Sequence, residues 1–493
     1  MLRTEHLSTR TVAAGPDERR GLVFLLVVSL AWLILCFAFM VLLVPSETGV
    51  GLLVRIVVAA VPLGALWILY SAGRGTPLAV MAIFLSMLMV TDLSFRNRTF
   101  SDTSADPQNM LKMLLWGSGL LVVLLNPKHL RDVLREPAVA LLASLSVWFM
   151  FTAVYSPIPL YSFASALALL AVTLFGAVVR RVVPEPLLLK GAIGLLTLML
   201  LVGLVLYVVA PGRAMAETEG GSVLRLAAPF GTPNQLGRVA ALVLLLAVLS
   251  WQTRVVRWNS LLPILGSVAA LACLVLSQSR TSIAAVAVSL TALLLLSRPR
   301  WLFLSAVFFS AAALLFVLFD MSLLSAAKLI SRTGDTASVV SLTGRTDIWG
   351  FFWDEILKAP IFGYGHASTK YYMPMLYHNA WGWTSTQAHN MWLQVAFTSG
   401  LIGVVLLAGT IIAQFRYWWH TRDSASLGIL VFVFVSGLAE AAHGGGAPNT
   451  LTLVWAVWMV GRRIPKDSVT STAAVVASGQ AFVPASRVTA VQR

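Results

Sequence analysis

The chain has 493 residues, of which 58% are hydrophobic and 11% are charged, and its mean hydropathy is +0.85. A soluble domain carries about 25% charged residues, so this composition excludes a soluble protein and indicates a membrane protein. The formal net charge of +15 would suggest nucleic-acid binding in a soluble protein. Here the basic residues lie mainly in short loops between apolar runs, which is the positive-inside pattern, and we expect no nucleic-acid partner.

Apolar runs long enough to span a membrane follow one another along most of the chain. The first begins at residue 21 and is too long for the apolar part of a signal peptide, so we interpret it as an uncleaved helix. The runs are 21–44, 49–72, 76–92, 109–126, 137–154, 161–183, 187–210, 234–251, 259–277, 281–297, 301–320, 388–413, 426–443 and 450–463. They predict an all-α, polytopic membrane bundle of about 12–14 transmembrane helices.

The charges of the connecting loops predict the orientation. Arginine and lysine recur in every second connection, whereas the short opposite loops 45–48, 155–160 and 440–449 contain neither. Because basic loops stay in the cytoplasm, we expect both termini inside and a multi-pass protein of the inner (plasma) membrane.

These spans divide the chain into five parts. The sequence predicts a cytoplasmic tail over 1–20, helices 1–11 over 21–320, a long periplasmic loop over 321–388, helices 12–14 over 389–465, and a disordered cytoplasmic tail over 466–493. Within the loop, residues 345–358 predict an amphipathic helix. Its apolar face is expected to lie on the membrane surface and comprises Trp349, Phe352, Trp353 and Ile356.

Three places on the outer side carry polar residues suited to chemistry. Arg280 lies in a very short turn between two spans, where a charge is costly and suggests a functional site, although an arginine that snorkels to the lipid headgroups is the alternative. Arg225 and Arg238 flank a Gly- and Pro-containing turn, in which Asn234 is expected to cap the next helix. Arginines and helix N-termini together favour an anion, with unspecific loop arginines as the alternative.

The third place is His389-Asn390, at the end of the long outer loop. A histidine at a membrane boundary suits a general base, whereas an interfacial histidine next to a helix-capping asparagine is the alternative. His366, His378 and His443 are weaker candidates. The two cysteines lie inside apolar runs, and the sequence has no HExxH motif, so no metal site is predicted.

Three stretches resemble the O-antigen ligase and Wzy-type polysaccharide polymerase superfamily of bacteria. LSQSRTSIAAVAVSL (276–290) is similar to its S-x-S-R-[TG] turn and the small-residue helix that follows. TGRTDIWGFFWDEILKAPIFGYG (343–365) is similar to its G-R…W…P-[ILF]-x-G-x-G segment, and AHNMWLQVAFTSGLIGVVLL (388–407) to its H-N-x-[YW]-L…G-[LI]-[IL]-G helix. Within that superfamily the chain looks most like the exopolysaccharide polymerases of the succinoglycan type.

The resemblance implies a glycosyltransferase that joins undecaprenyl-pyrophosphate-linked repeat units at the periplasmic face. It implies donor pyrophosphate binding by Arg225 and Arg280, with Arg238 and Arg345 as helpers, and catalysis by His389 together with Arg280. Asn390 and Asn234 would orient the base or the acceptor. No cofactor is implied. The partners would be the lipid-linked donor, a glycan acceptor, membrane lipids, and a chain-length regulator or other polysaccharide-assembly protein.

Other functions remain open at this stage. An O-antigen ligase would use the same motifs but transfer the glycan to lipid A–core. A polysaccharide flippase predicts internal repeats and a central charged cavity, and the sequence shows no such repeat. A non-catalytic scaffold would tolerate the loss of Arg280 and His389.

Overall fold

A computed structural model describes residues 67–94, 107–218, 223–256, 260–297, 345–378, 385–441 and 443–461. Over these ranges the protein is a helical bundle with one two-stranded hairpin, which confirms the predicted all-α polytopic fold. Six helices are long and apolar enough to cross a membrane, and a bent pair, Trp67–Gly73 with Pro77–Thr91, counts as a seventh. The expected spans 21–44 and 301–320, most of 49–72, and both tails lie outside the described residues.

Proline fixes the start of many of these helices. It stands at the first position of seven of them, where its missing N–H costs nothing and its fixed φ suits the helix. In chain order the elements are α1 Pro77–Thr91, α2 Pro107–Leu125, α3 Pro127–Leu134, α4 Pro137–Thr152, α5 Pro159–Val182, α6 Glu185–Val209, α7 Pro211–Ala214, β1 Met215–Thr218, β2 Val223–Leu226, α8 Pro233–Gln252, α9 Leu261–Ser277, α10 Arg280–Ser297, α11 Arg345–Lys358, α12 Thr369–Leu376, α13 Met391–Thr421, α14 Ser424–Ala439 and α15 Thr450–Trp458.

Two helices form the centre of the bundle. Helix α5 packs against α2, α4 and α15, and α8 packs against α6, α9 and α10. Helix α15 is buried along its whole length, and α13 lies along α4 and α14. Small residues allow close approach, as at Gly176 of α5, where an added Cβ would lie 2.7 Å from the Cβ of Ala456 on α15. Close packing of this kind stabilises helix association in lipid, where there is no hydrophobic drive between helices.

A buried arginine joins three elements at one end of the bundle. Arg180, near the end of α5, is 3% exposed and forms ion pairs with Glu185 at the start of α6 (3.3 Å) and with Asp423 at the start of α14 (3.8 Å). Asp423 also accepts a hydrogen bond from Ala425 N and caps α14. Because a lone buried charge is very costly, these carboxylates hold the ends of α5, α6 and α14 together.

Helix α13 is broken at Gly400, and a loop fills the break. Gly400 has φ 64° and ψ −163°, so the helical bond from Leu401 N to Phe397 O is absent. Both groups bind the loop after α11 instead: Leu401 N donates to Pro360 O and Phe397 O accepts from Tyr364 N, each at 2.8 Å. The loop therefore satisfies the two backbone groups that the break separates, as a break within a membrane helix requires.

The loop needs glycine where it enters the break. Gly363 has φ 67°, and an added Cβ would lie 2.5 Å from Phe397 O. Gly365 has φ 94°, and its Cβ would lie 2.7 Å from the Cα of Ser156, next to α4. Only glycine combines this backbone conformation with so close an approach. The loop can therefore pass between α13 and α4 only because the sequence has the spacing P-x-x-G-x-G.

Helix α11 forms as predicted over residues 345–358, but the predicted face does not lie on the membrane surface as a unit. Phe352 is fully buried and packs against Phe397, with ring centroids 5.0 Å apart. Trp349 donates its indole N–H to Ala388 O at 2.9 Å, whereas Trp353 is 58% exposed. The prediction is wrong for Phe352 and Trp349, because α13 offers this apolar face a protein surface to pack on.

We expect Gly400→Ala to destabilise the protein strongly. An added Cβ would lie 2.1 Å from Ile361 O and 2.5 Å from Phe362 N, both backbone atoms that cannot rotate away. Steric strain and the left-handed φ together should cost about 3 kcal/mol or more. The apparent Tm of the purified protein in nanodiscs measures this effect.

The matched control is Gly117→Ala on α2. Here an added Cβ meets nothing within 4 Å, so alanine should leave the Tm unchanged or raise it through its better helix propensity. Equal Tm values for the Gly400 and Gly117 variants would contradict the broken-helix geometry.

Candidate functional site

The turn between α9 and α10 lies at the centre of the candidate site. Gln278, with φ 48°, ends α9, and Arg280 is the first residue of α10. Arg225, on β2, is only 4% exposed and donates from Nε to Ser277 O at 2.8 Å. The hairpin therefore brings one predicted anion-binding arginine to the turn that carries another.

Two further elements meet the same turn. Gly237 of α8 lies against it so closely that an added Cβ would be 2.4 Å from the Cβ of Ser279. The neighbouring Arg238 is 9% exposed, and its Nε is buried without a hydrogen-bond partner in the described protein. Arg345, which begins α11, donates from Nη1 to the Thr281 hydroxyl at 3.2 Å.

A single carboxylate, that of Glu440, joins the predicted residues. Its Oε1 accepts hydrogen bonds from Arg345 Nη2 and from Asn234 Nδ2, both at 2.8 Å. Asn234 Oδ1 in turn accepts from Arg225 Nη2 at 2.9 Å. The other carboxylate oxygen, Oε2, lies 3.5 Å from Nδ1 of His389. Glu440 thus links the candidate base to two candidate anion-binding arginines.

His389 is held in an unusual backbone conformation. Its φ of 48° is rare for a residue other than glycine, and its side chain is 24% exposed. The Ser385 hydroxyl lies 3.2 Å from Nε2. Directly after it, Asn390 caps α13 and accepts from Trp392 N at 2.9 Å and Leu393 N at 3.1 Å. This is the asparagine cap of the alternative interpretation given in the sequence analysis. The start of α13 therefore fixes the position of the imidazole.

A buried amide braces the segment that carries His389. Gln394, in the first turn of α13, is fully buried and accepts a hydrogen bond from Ala388 N at 2.9 Å. Its Nε2 donates to the Thr369 hydroxyl at 3.0 Å and to Gly444 O at 3.4 Å. One side chain therefore connects the residue before His389, the start of α12 and the loop before α15.

The other candidate histidines do not join this cluster. His366 is fully buried and stacks on Phe149 with ring centroids 4.4 Å apart. Burial lowers the pKa of the His366 imidazole to about 3, so this ring stays neutral at ordinary pH. His443 is also buried, and its ring meets that of Trp455 edge-on. His378 is exposed.

Arginines are concentrated around this turn. Arg225, Arg238, Arg280 and Arg345 lie on elements that meet here, and Glu440 forms an ion pair with Arg345. Arginine stays charged and matches the geometry of phosphate oxygens, so these residue types suit an anionic ligand. Within the described ranges, no group of three or more His, Cys, Asp or Glu residues has the arrangement of a metal site.

The structure brings together most of the residues predicted from the sequence, with one correction. Asn234 does not cap α8, because the Thr232 hydroxyl accepts from Gln235 N and takes that role. Asn234 is thereby free to bridge Arg225 and Glu440. Trp381 and Trp383, whose rings could stack on a sugar, lie outside the described residues. Tyr372, another aromatic residue of the same loop, packs on Tyr364 with ring centroids 5.4 Å apart.

Two residues of the cluster were missed by the sequence analysis. A signal existed for Glu440, since it is a rare carboxylate at the end of an apolar run, and such residues indicate function by default. Ser385 gave no signal, because a serine in a polar loop is ordinary. Only the fold of the segment before α13 places its hydroxyl on His389.

Residues 265–408 match the family model described as O-antigen ligase. The matched region contains all three stretches on which the resemblance rests, and it confirms the resemblance to the O-antigen ligase and Wzy-type superfamily. Arg225, Arg238 and Glu440 lie outside it. No curated protein matches the chain. The family is compatible with a ligase and with a polymerase alike, and multiple apolar helices agree with a multi-pass membrane protein.

We expect Glu440→Gln to weaken the cluster. Glutamine keeps the shape but removes the charge that Arg345 binds, and loss of one partner of a largely buried ion pair should cost about 2 kcal/mol. The side chains of Glu440 and Arg345 are 12% and 16% exposed, so water screens this pair little. A fall in the apparent Tm in nanodiscs is the measurement.

Asp132→Asn is the control, because it acts on an ion pair with Arg135 whose side chains are 30% and 62% exposed. Such surface pairs contribute about 0–1 kcal/mol. If both variants had the same Tm as the unmodified protein, Glu440 would not be the link described above.

Proposed function

We propose that this protein is a polysaccharide polymerase of the O-antigen ligase and Wzy-type superfamily. It would join undecaprenyl-pyrophosphate-linked oligosaccharide repeat units into exopolysaccharide or O-antigen. The observation that carries the proposal is the Glu440 carboxylate, which connects the candidate base His389 with Arg345 directly and with Arg225 through Asn234. A base beside an arginine cluster is what transfer from a pyrophosphate donor requires.

The arginine cluster supports binding of the donor pyrophosphate. When the sugar–pyrophosphate bond breaks, negative charge grows on the leaving phosphate oxygens, and fixed cations at that position lower the barrier. Arg280 stands at the N-terminus of α10, where the helix dipole adds a positive potential. Arg225 and Arg345 are already oriented by hydrogen bonds to the same turn, so little reorganisation is needed when the donor binds.

His389 is suited to activate the acceptor. In the proposed step the acceptor hydroxyl oxygen attacks the anomeric carbon, its proton passes to Nε2 of His389, and the bond from the anomeric carbon to the pyrophosphate oxygen breaks. Glu440 beside Nδ1 favours the tautomer whose proton is on Nδ1, so that Nε2 has its lone pair. The same carboxylate stabilises the imidazolium that forms. The donor bond itself supplies the energy, so no nucleotide or cofactor enters the step.

We also propose the orientation predicted from the loop charges. Both termini would lie in the cytoplasm, and the site would face the periplasm of a bacterial inner membrane. His389 and Asp423 flank opposite ends of α13, so the Arg180 ion pairs would then lie at the cytoplasmic end. The proposed partners are the lipid-linked donor, a glycan acceptor and membrane lipids, with a chain-length regulator or another assembly protein as a further one.

An O-antigen ligase is the second candidate, because the matching family model has that description. The donor site and the base would be the same, and the acceptor would be lipid A–core in place of a second repeat unit. The two candidates therefore differ in the product that the same purified protein forms.

We expect the full-length protein in nanodiscs to convert its polyprenyl-pyrophosphate-linked repeat unit into a ladder of longer glycans without added nucleotide or metal. His389→Ala should reduce the rate by about 10²–10⁴-fold through loss of the base. His378→Ala, an exposed histidine of the outer segment, should retain it. Transfer to added lipid A–core with no ladder would make the protein a ligase, and neither product from folded protein would refute both.

Arg280→Ala should lower the rate by about 10²–10³-fold, as does the loss of one transition-state donor in other enzymes. Arg280→Lys should restore little of this rate, because an ammonium group is a point charge and lacks the planar fork of arginine. Arg213→Ala, at an exposed position in the same outer segment as Arg225, is the control and should keep its activity. Full activity of Arg280→Ala would remove this residue from the proposed site.

A further inference from the structure

Ser385 occupies the one position at which His389 would take a proton. The imidazole has two nitrogen atoms, and Nδ1 faces Glu440 at 3.5 Å. The other nitrogen, Nε2, is 3.2 Å from the Ser385 hydroxyl. Whichever of these two atoms donates, the hydrogen-bonding direction of Nε2 is filled by the protein.

The Ser385 hydroxyl is held there by its own loop. Its oxygen lies 2.9 Å from Gln387 O and accepts from Gln387 N at 3.2 Å, which are the contacts of a local serine turn. The hydroxyl has a single proton, which it donates either to Gln387 O or, when the imidazole proton is on Nδ1, to His389 Nε2. Ser385 is 5% exposed, whereas the side chain of His389 is 24% exposed. Solvent can therefore reach the imidazole ring, and the nitrogen that would act as the base is in contact with a buried hydroxyl.

We propose that Ser385 determines the choice between transfer and hydrolysis by holding the place of the acceptor hydroxyl on His389 Nε2. This inference rests on the proposed function of His389. Until the acceptor sugar displaces it, the serine hydroxyl keeps water from that position. A closed site of this kind suppresses the side reaction of a reactive donor with water.

The suppressed reaction is a balanced hydrolysis. A water oxygen would attack the anomeric carbon of the donor, its proton would pass to His389 Nε2, and the bond from the anomeric carbon to the pyrophosphate would break. The products would be the free repeat unit with a hydroxyl at its reducing end and the polyprenyl pyrophosphate. Solvent would then take the proton from His389, and the donor would be wasted.

Ser385 is thus a positioning residue and not a catalytic one, and three variants separate this role from a structural one. Ser385→Ala opens the position at Nε2 to water. Ser385→Thr keeps a hydroxyl there. Thr386→Val removes the adjacent hydroxyl, which makes no hydrogen bond to His389 in the structure, and serves as the matched control.

The first measurement is the ratio of released free repeat unit to glycan ladder, with full-length protein in nanodiscs and the lipid-linked repeat unit. Ser385→Ala should raise this ratio about tenfold, which corresponds to the loss of one competing hydrogen bond. Ser385→Thr and Thr386→Val should keep the ratio of the unmodified protein. A parallel fall of both products in Ser385→Ala, with an unchanged ratio, would show a purely structural role and overturn the proposal.

The second measurement does not depend on activity. Diethyl pyrocarbonate acylates accessible, unprotonated imidazole nitrogen, and mass spectrometry reports the rate at His389. Ser385→Ala should increase this rate about fivefold to tenfold by freeing Nε2, and Thr386→Val should not. An equal rate in all variants would overturn the inference, whereas a fast rate with no ladder from the unmodified protein would instead refute the proposed function.

Discussion

The break in α13 is the constraint on which the arrangement around Arg345 and His389 depends. In a regular helix Leu401 N would donate a hydrogen bond to Phe397 O. Because the helix is broken at Gly400, both groups instead form hydrogen bonds with the loop after α11. One helical hydrogen bond is replaced by two bonds to another segment. In a membrane an unsatisfied backbone group costs several kcal/mol. These two hydrogen bonds therefore hold the loop in place, and the loop in turn makes the break in α13 possible. Helix α11, and with it Arg345, is positioned relative to α13, and with it His389, by this exchange.

Charge is handled differently at the two ends of α13. Near Asp423, Arg180 meets two carboxylates, Glu185 and Asp423, so that end is balanced and joins helix ends. Near His389, the carboxylate of Glu440 binds Arg345 directly and Arg225 through Asn234, and it lies 3.5 Å from Nδ1 of His389. Buried charges without compensation destabilise a fold, so both ends of α13 need such contacts. The ion pairs at the first end join helix ends, whereas those at the second end also hold the residues of the proposed site.

The sequence predicted the helices and many of the polar residues, but not how they connect. Apolar runs and the prolines at their starts are local signals, and the runs that fall on described residues coincide with helices. Arg225, Arg280 and His389 were found because charges at membrane boundaries are rare. Asn234 was wrongly predicted to cap α8. Thr232 is an equally good cap, and Asn234 instead donates a hydrogen bond to Glu440, which is distant in the sequence. The burial of Phe352 was missed for the same reason: amphipathic periodicity identifies an apolar face but cannot tell lipid from a broken helix.

The position of His389 shows how rigidity and strain combine at this site. Its left-handed φ is unfavourable by itself, yet the residues on both sides are fixed. Asn390 is bound as the cap of α13, and Ala388 N is held by the buried Gln394. The strain therefore cannot relax without breaking a cap or a buried hydrogen bond. A base that must stand between Glu440 and an incoming hydroxyl gains from this arrangement, since a general base acts only within hydrogen-bond reach of its proton. The fold meets this need by placing His389 at the rigid start of a helix. In our proposal, Ser385 then controls whether water or the acceptor hydroxyl reaches this base.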